Sequence, residues 1–283
     1  MNKVIQDRDA KHFLKKSKQL LYANEAEYSL MIGICELLIH ASIPSKFTPV
    51  FLRSVNENGE TTAALMQSRV ENFVVTSANL VEVDSFTEYF KERKMTFMGI
   101  VGPRSTAEYL VKSFSQKLNV VFELGMASKI LKLEKVVAPR QCAGEMTFCE
   151  RNDTRLFADW LLEFAKEALP HDPGNSERFL AIAETKIQNR EAYLWKVNGE
   201  PTAVAQVGRP TKNGISISGV YTPRELRGRG YASNLVAQIS ENMLGNGKSF
   251  CVLYTDAGNP TSNKIYQNLG YEIVAESAHW VLK

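Results

Sequence analysis

A chain of 283 residues, 44% of them hydrophobic, is long enough for two domains with separate cores. Its net charge of +3 is too small to point to nucleic acid, and Lys11, Lys15, Lys16 and Lys18 read as a solvated helix face. The four cysteines, Cys35, Cys142, Cys149 and Cys251, form no C-x-x-C pair and match neither a zinc site nor a small disulfide framework. They are read as reduced thiols. The N-terminus lacks the apolar core of a signal peptide, and the run from Leu30 to Ile39 is short and broken by Glu36. A cytoplasmic chain with no membrane partner is the expectation.

In chain order, hydrophobic periodicity predicts helices over about 9–21 and 25–40, then strands over 48–55, 62–67 and 72–76, the first two joined by the hairpin turn Asn56-Glu57-Asn58-Gly59. A helix over 85–93, a strand over 96–101, a helix over 105–116 and two short strands between 119 and 137 follow. The segment Ala138-Pro139-Arg140-Gln141-Cys142-Ala143-Gly144 has no apolar face and reads as a linker. Beyond it come a strand (146–150), two helices (154–168 and 176–188), and three strands (192–197, 202–207 and 215–221). A helix from about 230 to 244, a strand over 250–255, a helix over 260–269, and strands over 271–275 and 278–282 complete the chain. Both halves thus share one element order with little residue identity, which predicts two α/β domains of one architecture, 1–138 and 145–283.

Between the strand ending at Tyr221 and the helix beginning near Tyr231 stands Arg224-Glu225-Leu226-Arg227-Gly228-Arg229-Gly230-Tyr231-Ala232. A helix N-terminus leaves backbone N–H groups unpaired and carries a partial positive charge, so a glycine turn there can wrap a phosphate or pyrophosphate. The matching place in the first half, Thr76-Ser77-Ala78-Asn79-Leu80, has neither glycine nor arginine and is not expected to bind one.

The turn Arg227-x-x-Gly230-x-Ala232 resembles the cofactor motif of the GNAT superfamily of acyl-CoA N-acyltransferases, Gln/Arg-x-x-Gly-x-Gly/Ala. The segment from Asn259 through Tyr266 to Gly270-Tyr271 is similar to that family's next element, an asparagine followed by a helix bearing a tyrosine. The resemblance covers the second half by motif and the first only by element order, as a degenerate copy. It implies tandem domains, each a mixed, mostly antiparallel sheet flanked by helices, with acetyl-CoA or another acyl-CoA as donor, a small-molecule or peptide amine as acceptor, and a first domain that shapes the acceptor cleft.

The residues agree with that implication. N–H groups from Gly228 through Arg229, Gly230, Tyr231 and Ala232 to Ser233 can form a nest around a pyrophosphate, and Arg224, Arg227 and Arg229 can add charge-assisted contacts. Gly219 inside a strand marks a bulge or a close approach. In the family such a bulge parts two parallel strands for the pantetheine arm, which gives Val220, Tyr221 and Thr222 the backbone contacts. Asn259, Ser262 or Asn263, and Tyr266 share one helix face that can follow the cofactor to its sulfur. Tyr266, a phenol of pKa about 10, is the expected general acid toward the departing thiolate. A backbone N–H near Val220 or Tyr221 can polarise the thioester carbonyl.

The proton acceptor stays open. Some family members carry a glutamate where this chain has Ser216 and Ser218, leaving Asp256, Glu225, Glu184 or a serine-held water chain. The strand-turn-helix Phe97 to Ser105 has the wrong glycine spacing for an anion site and reads as a structural loop, and His171-Asp172-Pro173 reads as a turn. His12, His40 and His279 have no metal-ligand spacing. The reading is an acetyl-CoA-dependent N-acyltransferase with an active second domain; a non-catalytic acyl-CoA sensor or scaffold is the alternative.

Overall fold

The computed structural model describes residues 3–40, 47–68, 72–169 and 173–283. Its contacts divide the chain into two compact units, one of residues 1–130 with 274–283 and one of residues 131–273.

The first unit begins with β1 (Lys3–Asp7), α1 (Ala10–Lys16), α2 (Lys18–Ala23) and α3 (Ser29–His40). It continues with β2 (Val50–Val55), β3 (Thr61–Gln67), β4 (Asn72–Val75), α4 (Leu80–Arg93), β5 (Gly99–Pro103), α5 (Arg104–Leu118) and β6 (Phe122–Leu133). Strands β1 to β4 pair antiparallel in succession, and β4 runs parallel to β5. The β2–β3 hairpin closes because Asn56 Oδ1 accepts from the N–H groups of Asn58 (3.0 Å) and Glu60 (2.9 Å) while Gly59 takes φ +80. Phe73, Phe90, Phe97 and Phe114 cluster on one face of this sheet. Phe13, Leu21, Met31 and Ile32 cover the other.

The second unit contains β7 (Glu145–Phe148), α6 (Thr154–Ala168), α7 (Ser176–Gln188), β8 (Ala192–Val197), β9 (Glu200–Gly208) and β10 (Gly214–Tyr221). Then come α8 (Tyr231–Gly245), β11 (Phe250–Asp256), α9 (Pro260–Asn268) and β12 (Glu272–Leu282). Strands β7 to β10 are antiparallel neighbours, and β10 runs parallel to β11. Asn198 and Gly199, at φ +52 and +84, make the two-residue β8–β9 turn that a right-twisted hairpin prefers. Alternation along the strands sends Ala203, Ala205, Ile215, Ile217, Cys251 and Leu253 into one core and Leu194 and Val204 into another, beneath Phe157, Leu161 and Ala183 of α6 and α7.

Several predicted elements change. The first helical region is three helices, because the chain turns at Ser17 and again before Ser29. The unpredicted β1 pairs with β2, where buried Asp7 accepts two hydrogen bonds from Arg53, at 2.6 and 2.9 Å. One strand, β6, replaces two, running through Gly125 without a break. Strand β12 likewise replaces two, because Ser277 does not turn the chain: it is buried and donates to the Gly102 carbonyl (3.0 Å). Residues 277–281 pair antiparallel with β5, so the last strand counts with the first unit, and residues 138–144 carry no helix or strand. At Gly102 an added Cβ would stand 2.5 Å from Val75, which explains that glycine by strand packing. His171 and Asp172 lie outside the described residues.

Candidate active site

The second unit builds its candidate site where β10 and β11 separate. Their parallel ladder holds only Gly214–Phe250, Ile215–Cys251 and Ser216–Val252. On its other edge β10 pairs with β9 at Ser218–Gln206 and next at Tyr221–Val204, so three steps on β10 match two on β9. That extra residue is a β-bulge, and it bends the bulged strand. Gly219 makes it possible: it sits at φ +60, and a Cβ there would meet Leu161 Cδ2 at 2.6 Å. After the bulge Val220 packs toward the core under α8 and Tyr221 toward α6, 6.3 Å from the Trp160 ring. Beyond Ser216, then, the β10 edge facing β11 has no ladder partner, and the backbone of Val220 and Tyr221 lies in that opening.

The chain then passes through a 3-10 turn at Arg224–Leu226 into the glycine turn. Gly228 and Gly230 adopt φ +78 and +85, in the left-handed region that favours glycine. Gly230 is the N-cap of α8; no side chain caps the helix and its first turn has no acidic residue. The N–H groups of Tyr231, Ala232 and Ser233 therefore point out of the helix end without an intrahelical acceptor. Asn234 pins the turn, its Nδ2 donating to the carbonyls of Gly230 and Arg140, both at 3.0 Å. An added Cβ at Gly230 would stand 3.7 Å from Cys142 Cβ, so the linker strand of chain lies against the turn.

The arginines divide. Arg224 Nε donates to Glu167 Oε1 (3.0 Å), and Arg227 Nη2 donates to Glu167 Oε2 (2.8 Å). Burial alone would raise the Glu167 pKa, but the hydrogen bonds from Arg227 and Arg224 outweigh it and hold the carboxyl below its ordinary value. Arg227 Nε also donates to the Thr222 carbonyl (2.9 Å), so Arg227 braces the turn and Thr222 has a lone pair already engaged. Arg229 makes only a 3.3 Å bond to the Glu225 carbonyl and stays exposed.

Across the opening, Asn259 caps α9 by accepting from the Ser262 N–H (3.0 Å), with Pro260 at the first helical position. Asn263, buried, donates to the carbonyls of Asp256 (3.1 Å) and Ala257 (3.4 Å), while its Oδ1 has no partner. Tyr266 packs edge-on to Tyr271, ring centroids 6.0 Å apart, and burial pushes its phenol up to about 12. Glu184 and Glu225 are exposed, and Asp256 Oδ1 is engaged by the Gly258 N–H (2.8 Å). Ser216 is 1% exposed, and its Oγ has no partner.

This arrangement fits a pyrophosphate and an extended arm. It has an uncapped helix end with two left-handed glycines, an opened parallel pair leading away from it, and buried polar atoms still without partners at Ser216, Thr222 and Asn263. The motif did not reveal Glu167 or Gln206, which reach the site from other elements; Asn234 had a local signal, four residues after Gly230. Among the described residues no group of three or more His, Cys, Asp or Glu is placed to hold a metal, and no helix is long and apolar enough to cross a membrane.

A family model described as FR47-like protein matches residues 199–281, from β9 through the glycine turn to the end of β12. No curated protein matches the sequence. Among solved structures, a Drosophila protein is similar at TM-score 0.65 and 13% identity, covering 100% of this chain and 98% of that one. A GCN5-related N-acetyltransferase from Sphaerobacter thermophilus is similar at TM-score 0.62 and 16% identity, with coverage of 99% and 95%. A tandem GNAT protein from the clavulanic acid biosynthesis pathway is similar at TM-score 0.54 and 11% identity, with coverage of 99% and 98%. With the FR47-like match in its second half and these likenesses along its whole length, the chain has the tandem fold of the GNAT superfamily.

Proposed function

We propose that the second unit is an acyl-CoA-dependent N-acyltransferase that moves an acetyl or related acyl group directly to a primary amine. One observation carries this reading: the β10–β11 ladder opens immediately before an uncapped α8 whose start is built from left-handed glycines. In the reaction a C–S bond breaks and a C–N bond forms; the amine loses a proton and the thiol gains one.

Acyl-CoA, when bound, supplies the activated thioester. The turn from Gly228 to Ser233, with Arg229, would hold the pyrophosphate; Val220 and Tyr221 would hold the arm by their backbone, with Thr222, Arg227, Asn259 and Ser262 beside it. The N–H of Val220 or Tyr221 polarises the thioester carbonyl. Tyr266 donates a hydrogen bond to the sulfur as charge builds there. With its phenol at about 12 against an ordinary thiol near 8.5, outright proton transfer is uphill by roughly 5 kcal/mol. Tyr266 therefore stabilises the leaving sulfur first and passes its proton late, being replenished by the proton the amine releases.

The test is release of free CoA thiol from acetyl-CoA over a panel of amino acids, polyamines, aminoglycosides and peptides, beside calorimetry of CoA binding. Turnover with some amine is expected, slowed about 100-fold or more in Tyr266→Phe with CoA affinity retained. Because Tyr266 stays protonated below about pH 12, kcat/KM should rise as the acceptor amine deprotonates and should not fall by pH 10. Tight CoA binding with no thiol release from any amine would leave the sensor or scaffold reading in its place.

A further inference from the structure

Arg209 follows the last residue of β9 and holds φ +46, a left-handed backbone uncommon for a residue with a long side chain. Its guanidinium lies 5.8 Å from the centroid of the Tyr254 ring. Unlike Arg224 and Arg227, it has no hydrogen bond or ion pair, and no carboxylate acts on it, among the described residues. Burial pushes its pKa below the ordinary arginine value, and an arginine guanidinium is charged in proteins. A half-buried guanidinium with no counterion among the described residues is free to pair with an anion. Lys186, whose Nζ lies by Gly208, is already paired with Glu191 at 2.6 Å, and Lys248 donates to the Thr211 carbonyl (2.9 Å).

Strand register shows what shares this face. Ala205, Val207, Ile215, Ile217, Cys251 and Leu253 enter the core under α8, so the alternate positions Gln206, Ser216, Ser218, Val252 and Tyr254 face the opposite way. Two of these carry buried polar atoms with unused capacity: Ser216 Oγ and Gln206 Oε1. Gln206 also lies against the bulge, its Nε2 3.2 Å from where a Gly219 Cβ would stand. Ser216 faces Val252, so Tyr254 falls level with Ser218, about 7 Å along the strand from Val220. An α-amino acid separates its nitrogen and carboxyl carbon by about 2.5 Å, and a hydrogen bond of about 2.9 Å at each end extends that reach to roughly 8 Å, enough to cover the interval.

We propose that Arg209 binds the carboxylate of the acceptor, with Gln206 Oε1 accepting from its nitrogen, so that the substrates are amino acids or other amines bearing a nearby carboxylate. This rests on the N-acyltransferase reading above. The planar guanidinium fits a carboxylate bidentately, which a lysine does less well.

The experiment uses the full chain with acetyl-CoA and compares glycine and β-alanine with their amides and with ethanolamine. The parent should prefer the carboxylates in kcat/KM. Arg209→Gln should raise KM for the carboxylate acceptors about 10- to 100-fold with kcat nearly unchanged, leave the amides unaffected, and be partly rescued in Arg209→Lys. CoA affinity and Tm serve as folding controls. Equal kcat/KM for acid and amide in the parent, which needs no variant, would overturn the carboxylate site while leaving acyl transfer intact. Calorimetry with N-acetylglycine in the presence of CoA is independent of turnover. Binding by the parent but not by Arg209→Gln supports the site even if no amine is acylated, and equal binding by both overturns it.

Discussion

The two units begin a helix at the same place in their element order and finish that beginning differently. At α4, Asn79 Oδ1 accepts from the Glu82 N–H (3.0 Å) and Glu82 Oε2 accepts from the Asn79 N–H (2.8 Å), a capping box that closes the helix end. The Ala78 N–H is taken by Thr106 Oγ1 (3.0 Å). Glu82 is 3% exposed and puts a carboxylate where an anion would have to approach. At α8 the cap is Gly230, and its N–H groups are left open. The strands before the two helices differ in step. Strand β4 pairs with β3 without a bulge, whereas β10 is bulged at Gly219 against β9. A helix end can be closed by its own side chains, which typically contributes about 1 kcal/mol, or left available to a ligand. This chain does one in each unit.

The sharpest way to break the contrast is to give α8 the acid that α4 carries. Ser233→Glu places a carboxylate at the third helical position, as Glu82 does in α4. CoA affinity by calorimetry should fall about 100-fold or more, with Tm unchanged or slightly higher. Undiminished affinity would mean that the pyrophosphate does not sit at this turn. The bulge is tested by Gly219→Ala, which forces a Cβ toward Leu161 at a backbone angle alanine resists. Urea unfolding should show a loss of about 1–3 kcal/mol; a parental midpoint would show that the bulge relaxes without the glycine. The smallest effect is expected from Glu167→Gln, which releases Arg224 and Arg227 from their carboxylate. CoA should bind a few-fold tighter at low salt, with a steeper salt dependence. Weaker binding would instead make Glu167 a brace that the turn requires.

How much of this was legible in the sequence followed the range of the interactions. Helices α6 and α7 and strand β8 fall where periodicity, caps and turn residues put them, because each is specified by its own few residues. Strand β1 was missed because five residues, Lys3 to Asp7, make no periodic signal by themselves and gain their meaning from β2. The two strands expected between 119 and 137, and those expected over 271–275 and 278–282, are the single strands β6 and β12, because a sequence does not show that a partner strand runs past such a gap. The glycine turn was legible for the opposite reason: backbone conformation, ligand approach and helix start all lie within a few consecutive residues. Glu167, Gln206 and Arg209 were not, since each acquires its role only when another strand or helix is laid beside it.

Strand β12 sets a constraint on how the chain is made. Its residues from Val274 onward complete the first unit, while Leu131 and Leu133 of β6 already belong to the core of the second. During synthesis the first unit must therefore wait, one sheet position unfilled beside β5, until the second has been translated in full, an interval of roughly ten seconds or more at ordinary ribosomal rates. Residues 1–138 by themselves lack the strand that pairs with β5. Cutting at the proline-glycine linker would leave β5 on one side and its partner strand β12 on the other.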